Sequence, residues 1–376
     1  MRNKRFNSGI ISKWWRSIDR YMLVAIFSIM AIGMIMVTTA SPAVAERIGI
    51  NSFYFIHQQL LNLLIAVPLM IAMSFLNPVV IRRVAVMGLV IGLGLLVIVL
   101  LFGPHVKGAQ RWINVLGFSL QPSEFVKPLF IVCTGWILSE GKTREGFPMY
   151  RISMALYAII VTLLVMQPDM GMTITVSTVW VGQLFLAGLP LVWIVVAIGL
   201  AFVGLVFAYH FLPHVAQRIN LFMDPDVDKA YQVRRSLEAF SHGGITGRGP
   251  GEGTVKLVLP DSHTDFIFSV VGEELGMIAC LIIIGLFAFV VIRGFMRVMK
   301  EDDLFIMYSV SGILMQFGLQ AIINMGVALH ILPTKGMTLP FMSYGGSSML
   351  AMALAMGMML ALTRKRYGSR TQRFPS

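Results

Sequence analysis

Long apolar runs recur along the whole of this 376-residue chain. Each run is long enough, or nearly so, to cross a hydrocarbon core of about 30 Å as a helix. Charged residues make up only 13% of the chain, against roughly 25% in soluble domains. The pattern predicts an all-α integral membrane protein with about ten transmembrane helices, near residues 21–40, 55–76, 79–102, 122–139, 150–166, 170–189, 190–212, 265–292, 304–330 and 337–363.

The formal net charge of +12 is distributed unevenly among the connections. When the chain is threaded through a membrane along these runs, more than half of its 30 lysines and arginines fall on one side. Such a bias marks the cytoplasmic side, so it predicts cytoplasmic termini and does not indicate nucleic acid binding. A patch for anionic lipid is a second interpretation. The predicted parts are a cytoplasmic segment 1–20, a polytopic membrane domain 21–363 and a basic cytoplasmic tail 364–376.

The beginning of the chain has features of a cleavable signal peptide, because a basic stretch and an apolar run precede Ala43-Val44-Ala45. Both are at or beyond the usual length for such a peptide, which favours an uncleaved first helix. Cys133 and Cys280 lie within apolar runs, so no disulfide framework is expected.

One connection is much longer than the others and runs from residue 213 to residue 264 on the outer, periplasmic side, between the seventh and eighth helices. Loops of this length within compact proteins are usually functional or disordered. An amphipathic stretch from Tyr231 to Phe240 could lie on the membrane surface. The glycine cluster from Gly243 to Gly253 matches neither phosphate-binding nor dinucleotide-binding glycine patterns. A flexible hinge is favoured there.

Asp261, His263 and Asp265 alternate just before the eighth apolar run. A metal site is conceivable from these side chains, but alternation over five residues is weak support for one. The structural alternative is that Thr264 caps the eighth helix, while Asp265 complements the helix dipole in the first turn.

Polar residues also occur at membrane depth. Glu273 and Glu274 would lie about 12 Å along the eighth helix, where carboxylates usually face a cavity or a partner. The last run is interrupted by LPFMSYGGSS at 339–348. Irregular backbone of this kind needs cover from protein or a water-filled cavity, although close packing on the small residues is the competing interpretation. The eighth helix is therefore expected to border a polar cavity.

Two motifs precede or begin the fourth helix, KGAQRWI at 107–113 and QPSEFVK at 121–127. Glu124 and Lys127 are three residues apart on one helical face, which predicts an ion pair. Trp112 could equally be an interfacial anchor. A third motif, QPDMG at 167–171, predicts a tight structural turn.

Together these motifs resemble the SEDS family of peptidoglycan glycosyltransferases, from about residue 19 to residue 366. SPAVAER and GRGPGEG are more similar to the cell-division branch of that family than to the elongation branch. The chain departs from the family at Arg235, where a glutamine usually precedes the serine, and in the turn 333–337. The motifs occur in the family's order: KGAQRWI at 107–113, QPSEFVK at 121–127, QPDMG at 167–171, GRGPGEG at 247–253, LPDSHTDFIFSVVGEELG at 259–276 and LPFMSYGGSS at 339–348.

The resemblance implies that lipid II is polymerised into glycan strands for septal cell-wall synthesis, with undecaprenyl diphosphate as the leaving group. Asp265 matches the catalytic aspartate of the family and would take the proton of the acceptor hydroxyl. Arg111 and Lys127 are candidates for binding the diphosphate. The other candidate substrate-binding residues are Trp112, Glu124, His263, Ser343 and Tyr344.

The resemblance also implies partners and a location. These are lipid II, a class B penicillin-binding transpeptidase and other divisome membrane proteins, in the inner membrane at the division septum. No metal or cofactor motif is evident, although a divalent cation, Mg or Mn, is compatible with diphosphate chemistry. A lipid II flippase or other transporter is an alternative that buried acids and a broken last helix would suit. A non-catalytic divisome scaffold is another.

Overall fold

The computed structural model describes residues 9–106, 109–115, 118–211, 215–216, 219–220, 223, 231–333 and 336–365. Two antiparallel hairpins pair β1 (His105–Val106) with β2 (Ala109–Gln110), and β3 (Ile113–Val115) with β4 (Phe118–Leu120). A single 3-10 turn is present in the described chain at Val255–Leu257. The α-helices of the described residues are α1 (Ile10–Ser17), α2 (Arg20–Arg47), α3 (Tyr54–Ser74), α4 (Pro78–Phe102), α5 (Pro122–Thr143), α6 (Met149–Met166), α7 (Met170–Leu186), α8 (Leu191–Phe211), α9 (Tyr231–Gly243), α10 (Ile267–Val298), α11 (Leu304–Ala328) and α12 (Gly346–Leu362).

The predicted all-α membrane architecture is confirmed. Within the described residues, each of the ten apolar runs coincides with a helix, from α2 to α8 and from α10 to α12. Seven of the described helices are long and apolar enough to cross a membrane, namely α2, α3, α4, α6, α8, α10 and α11. α7 and α12 are shorter apolar helices, and α5 carries charged residues in its first two turns. The number of crossings therefore stays a prediction.

Three local elements add to the predicted pattern. The hairpins between α4 and α5 were not expected, because strands of two or three residues are too short to produce a periodic signal. Helix α1 falls within the segment 1–20, for which only a cytoplasmic location was predicted. The amphipathic stretch Tyr231–Phe240 is helical, as part of α9, and packs against α10.

The centre of the bundle is formed by α5, α11 and α12, which are buried along most of their length. Small residues permit close approach between helices. A Cβ atom added at Gly135 of α5 would lie 2.9 Å from the Ser309 nitrogen of α11, and one added at Gly33 would lie 2.5 Å from Met342 Cα. By contrast, α8 packs chiefly on α7 and exposes nearly all its described side chains.

Helix α10 is interrupted at Gly276, so the continuous eighth helix predicted for 265–292 is two helical pieces. Gly276 has φ 76° and ψ −176°, a left-handed conformation that glycine adopts without steric cost. The break frees backbone groups that the loop then satisfies, because Met277 N donates to Gly244 O at 2.9 Å and Ile278 N donates to Ile245 O at 3.3 Å.

The prediction that Thr264 caps this helix is wrong. Helix α10 begins at Ile267, and its N-cap residue, Phe266, provides no side-chain cap. Asp261 has a φ of 53° and starts a turn in which the Thr264 hydroxyl donates to the Asp261 carbonyl at 3.1 Å. Because of this turn, the helix begins only at Ile267, and Asp265 lies before its first residue.

The two ends of the described chain meet at one end of the bundle, which we call the terminal end. Lys365 N donates to Ser17 O at 3.0 Å, and Arg293 and Arg297 bind the Asp19 carboxylate at 2.9 and 3.0 Å. We call the opposite end the loop end. There, Arg47 is the last residue of α2 and donates to the Leu259 carbonyl at 3.4 Å. This arrangement suits an even number of crossings.

We predict that the loop end faces the periplasm. Ser241 is exposed on α9 at the loop end, and Met299 is exposed at the terminal end. In whole cells, Ser241→Cys should react with a membrane-impermeant thiol reagent, and Met299→Cys should react only after lysis. The native Cys133 and Cys280 are buried and should give little background. The reverse labelling pattern would contradict this topology.

Candidate active site

Asp265 lies where three parts of the chain meet at the loop end. It is half-buried in the turn before α10. Asn324 of α11 donates from Nδ2 to the Asp265 carbonyl at 2.9 Å and to the Met337 carbonyl at 2.6 Å. A Cβ atom added at Gly336 would lie 3.5 Å from Asp265 Oδ2. The Asp265 carboxylate therefore lies beside the irregular segment that precedes α12.

The irregular segment, residues 336–345, has its polar groups satisfied mainly within the protein. Gln320 of α11 donates to the Thr338 carbonyl at 3.2 Å, and Leu339 N donates to Ser343 Oγ at 2.8 Å. Phe341 adopts a φ of 62°. The predicted interruption of the last apolar run is confirmed, with protein as its cover. Because the described contact of Ser343 is internal, its role in substrate binding stays a prediction.

Three rings pack together next to the catalytic candidate. The His263 ring lies 4.6 Å from the Phe55 ring and 5.3 Å from the Tyr344 ring, and the Phe55 and Tyr344 rings are 5.0 Å apart. Tyr344 N also donates to the His263 carbonyl at 2.9 Å. Burial lowers the pKa of His263 to about 4, with Asp261 opposing this shift. His263 is therefore neutral at physiological pH and carries no positive charge for a leaving group.

A second polar cluster surrounds Asp169. Gln121 Nε2 donates to Asp169 Oδ2 at 3.3 Å, and Arg111 Nε lies 3.7 Å from the same oxygen. Arg111 Nε also donates to the Gln167 carbonyl at 3.2 Å. Burial raises the pKa of Asp169, and the nearby Arg111 charge opposes the rise. The predicted tight turn at 167–171 thus also positions a basic side chain.

Glu124 and Lys127 form the predicted ion pair, with 2.8 Å between Glu124 Oε2 and Lys127 Nζ. The Lys127 side chain is only 1% exposed. Arg111, by contrast, keeps 25% of its side chain exposed, and Trp112 is half-buried. Of the two basic candidates for the diphosphate, Arg111 is the more accessible. The substrate roles of all four residues stay predictions.

Ser347 joins the Asp169 cluster to the start of α12. Its hydroxyl accepts from Gln121 N at 3.0 Å and donates to Ser119 O at 3.1 Å. The start of α5 and the end of the irregular segment are consequently held together. The Asp265 contacts and the Asp169 cluster therefore both lie around the irregular segment.

The glycine loop, which comprises the glycine cluster from Gly243 to Gly253 and the next three residues, is bound to α10, where a flexible hinge was expected. Glu273 Oε1 accepts from Thr254 N at 2.8 Å and from Val255 N at 2.9 Å. Glu274 accepts from Gly251 N at 3.1 Å and pairs with Lys256 at 2.5 Å. Of the two expected surroundings, a cavity or a partner, the structure gives these two glutamates a partner, because both are buried against the loop; that α10 borders a polar cavity stays a prediction. Buried carboxylates require donors, and the loop provides them.

The conceivable metal site at Asp261, His263 and Asp265 does not assemble in the described part of the chain, where no three His, Cys, Asp or Glu side chains are grouped for a metal ion. Sequence reasoning did not select Asn324 and Gln320 for the site. One signal could have found them: these two amides lie four residues apart in an apolar helix, where polar residues usually have a specific partner.

Known proteins are similar to this chain along nearly its whole length. The family model described as cell cycle protein, FTSW_RODA_SPOVE, matches residues 19–368. A probable peptidoglycan glycosyltransferase FtsW of Caulobacter vibrioides is 44% identical over 97% of this chain and 94% of its own length. The protein of the same name in Trichlorobacter lovleyi is 37% identical, over 92% of this chain and 93% of its own length.

Solved structures share the architecture. A chain of a peptidoglycan synthase complex, described as coordinating polymerization and crosslinking, aligns with a TM-score of 0.76 and 26% identity over 93% of this chain and 98% of that chain. The Rod shape determining protein RodA of Thermus thermophilus aligns with a TM-score of 0.68 and 25% identity, covering 93% of this chain and 97% of RodA.

The buried pair predicts a coupled loss of stability. Glu124→Gln alone leaves the Lys127 charge buried without its partner, and the converse holds for Lys127→Met. Breaking a buried pair typically costs about 3–5 kcal/mol, so each single variant should unfold at a clearly lower temperature. The double variant should lose less than the sum of the two losses. The measurement is thermal unfolding of the detergent-solubilised protein.

A matched control is the Arg235–Glu238 pair of α9, which has the same spacing but about a third of each side chain exposed. Its single variants, Arg235→Met and Glu238→Gln, should change the unfolding temperature little, because solvent screens exposed charges. Strictly additive losses at Glu124 and Lys127 would show that the two residues act independently.

Proposed function

This chain belongs to the FtsW/RodA/SpoVE family of cell cycle proteins, and from this membership we propose that it is a peptidoglycan glycosyltransferase that polymerises lipid II. The resemblance to the SEDS family is thereby confirmed. Relatives that are 34–44% identical are named as probable peptidoglycan glycosyltransferases FtsW. Their name supports a role in cell division, where the strands would be laid down at the septum.

The observation that carries the mechanism is the position of the Asp265 carboxylate, beside Gly336 and at the loop end. In the proposed step, the 4-hydroxyl of an acceptor sugar attacks the anomeric carbon of a lipid-linked donor. The bond to undecaprenyl diphosphate breaks as the new glycosidic bond forms. Asp265 takes the hydroxyl proton as the general base.

Positive charge near the leaving group would stabilise the departing diphosphate. Arg111 is the more accessible basic candidate, and the turn at Gln167 fixes its guanidinium. Lys127 is the weaker candidate, because its ammonium is buried and already paired with Glu124. A divalent cation, Mg or Mn, could bind together with the diphosphate.

The remaining candidates would bind the sugar and peptide parts of the substrate. Tyr344 is partly exposed and offers a ring surface beside Phe55, whereas His263 is buried against both rings and would act by holding the Tyr344 ring in place. Trp112 and Ser343 are further substrate-binding candidates from the family resemblance.

The proposed location is the inner membrane at the division septum, with both termini in the cytoplasm. The proposed partner is a class B penicillin-binding transpeptidase, together with other divisome membrane proteins. The similarity to a chain of a complex that coordinates polymerization and crosslinking supports this pairing. A polymerase alone makes strands that remain uncrosslinked, so pairing it with a transpeptidase would allow the new strands to be crosslinked as they form.

The first test of the function is Asp265→Asn, assayed with labelled lipid II and the co-purified transpeptidase. Asparagine keeps the size of the side chain but takes no proton. We expect glycan synthesis to fall by about 10²–10⁴-fold, with normal abundance and normal partner binding. Translocation of lipid II in liposomes without glycan chains, by the unmodified protein, would instead identify a flippase.

The matched control is Asp261→Asn, which removes the same charge from the same turn. Asp261 has a φ of 53°, and asparagine tolerates this left-handed conformation well. We expect Asp261→Asn to retain most of the activity. Full glycan synthesis by Asp265→Asn at a normal protein level would remove Asp265 from the mechanism.

A second test concerns Asn324 as a positioning residue. Its amide joins the Asp265 backbone to Met337, and a displacement of about 1 Å can cost 10²-fold in rate. Asn324→Leu should therefore lower kcat by about 10²-fold and leave KM nearly unchanged, since the Asp265 backbone is no longer held in place while the substrate still binds.

The control for this test is Gln320→Leu, one turn away on α11. Gln320 is equally buried and clamps Thr338, but its described contacts do not reach Asp265. A general loss of packing would change the amount of active enzyme and leave kcat per active molecule in place. Equal kcat values per active molecule for Asn324→Leu and Gln320→Leu would therefore show that Asn324 has only a packing role.

A further inference from the structure

We infer that α1 lies in the plane of the membrane surface at the terminal end and binds anionic phospholipid headgroups. The first observation is that one side of this short helix is attached to the bundle. Trp14 Nε1 donates to Ser74 Oγ at 2.9 Å, and the Trp14 ring stacks on Phe75 at 4.9 Å. At its end, Ser17 O accepts from Lys365 N at 3.0 Å. The helix therefore has a fixed orientation.

The next side of α1 is apolar and uncovered. Ile11 is 73% exposed and Trp15 is 46% exposed, and the two residues are one helical turn apart. Tyr21, at the start of α2, is also 70% exposed. A helix with this pattern lies with its apolar side in the headgroup and acyl boundary.

The remaining exposed side chains are basic. Lys13 and Arg16 lie on the third side of α1, and the Arg20 guanidinium sits 5.3 Å from the centre of the Trp15 ring. No acidic residue occurs within α1. The nearest acid, Asp19, is buried and held by Arg293 and Arg297, so its charge is neutralised.

Charge complementarity selects the occupant of this surface. Three exposed cations next to an apolar stripe fit a ligand with an anionic head and acyl chains. An anionic phospholipid such as phosphatidylglycerol has both parts, and basic clusters beside membrane helices attract such headgroups. The lipid would hold α1 at the membrane surface. It would thereby also stabilise the contacts that α1 makes with the α3–α4 connection and with the end of α12.

The test uses the full chain reconstituted in bilayer discs of phosphatidylcholine. A minority of the lipid is brominated phosphatidylglycerol in one sample and brominated phosphatidylcholine in the other. Bromine quenches tryptophan fluorescence at short range. The chain has six tryptophans, so the Trp15 signal is the difference between the unmodified chain and Trp15→Phe. We expect Trp15 to be quenched more strongly by the brominated phosphatidylglycerol.

Charge variants test the source of that preference. The triple variant Lys13→Gln, Arg16→Gln and Arg20→Gln should lower quenching by phosphatidylglycerol to the level of phosphatidylcholine. A control triple variant, Arg83→Gln, Arg151→Gln and Lys300→Gln, removes the same charge from other exposed positions at the terminal end and should retain the preference.

Two results with the unmodified chain would overturn the inference. Equal quenching by the two brominated lipids would show an apolar contact without headgroup selection. Absence of Trp15 quenching by either lipid would show that α1 faces water or another protein. Loss of the preference in the control triple variant would also overturn it, because the effect would then reflect overall charge and not this surface.

Discussion

Polar groups buried in this bundle depend on partners from the same chain, because a membrane interior provides no water to satisfy them. The amide of Asn324 is the contact on which the proposed active site rests. It holds the backbone of Asp265 at 2.9 Å and that of Met337 at 2.6 Å. Without it, the two segments would keep the hydrogen bond from Tyr344 N to the His263 carbonyl, but the backbones of Asp265 and Met337 would lose the amide that joins them.

The same requirement explains the long loop. Glu273 and Glu274 would be costly inside a bundle if they lacked donors. The loop folds back and provides the Thr254 and Gly251 amides, and the break at Gly276 gives it room. A loop rich in glycine is thereby held against the helix that follows the catalytic candidate.

The two ends of the bundle contain different kinds of residues. The loop end gathers the acidic and aromatic groups proposed for chemistry, with Asp265 half-buried and His263 neutral. The terminal end gathers arginines around Asp19 and presents α1 beside them. This division suits the proposed use of a lipid-linked substrate at the loop end and the inferred lipid contact of α1 at the terminal end.

The sequence by itself determined the apolar runs, the charge bias and the Glu124–Lys127 pair, because hydropathy and helical spacing are local properties. The motifs were also enough to identify the family. Only the tertiary structure decided where Glu273 and Glu274 find donors, that α10 breaks at Gly276, and that Asn324 reaches Asp265. These features join distant segments, as Arg47 and Leu259 do across 212 residues, and no local pattern specifies which buried donor will meet which acceptor.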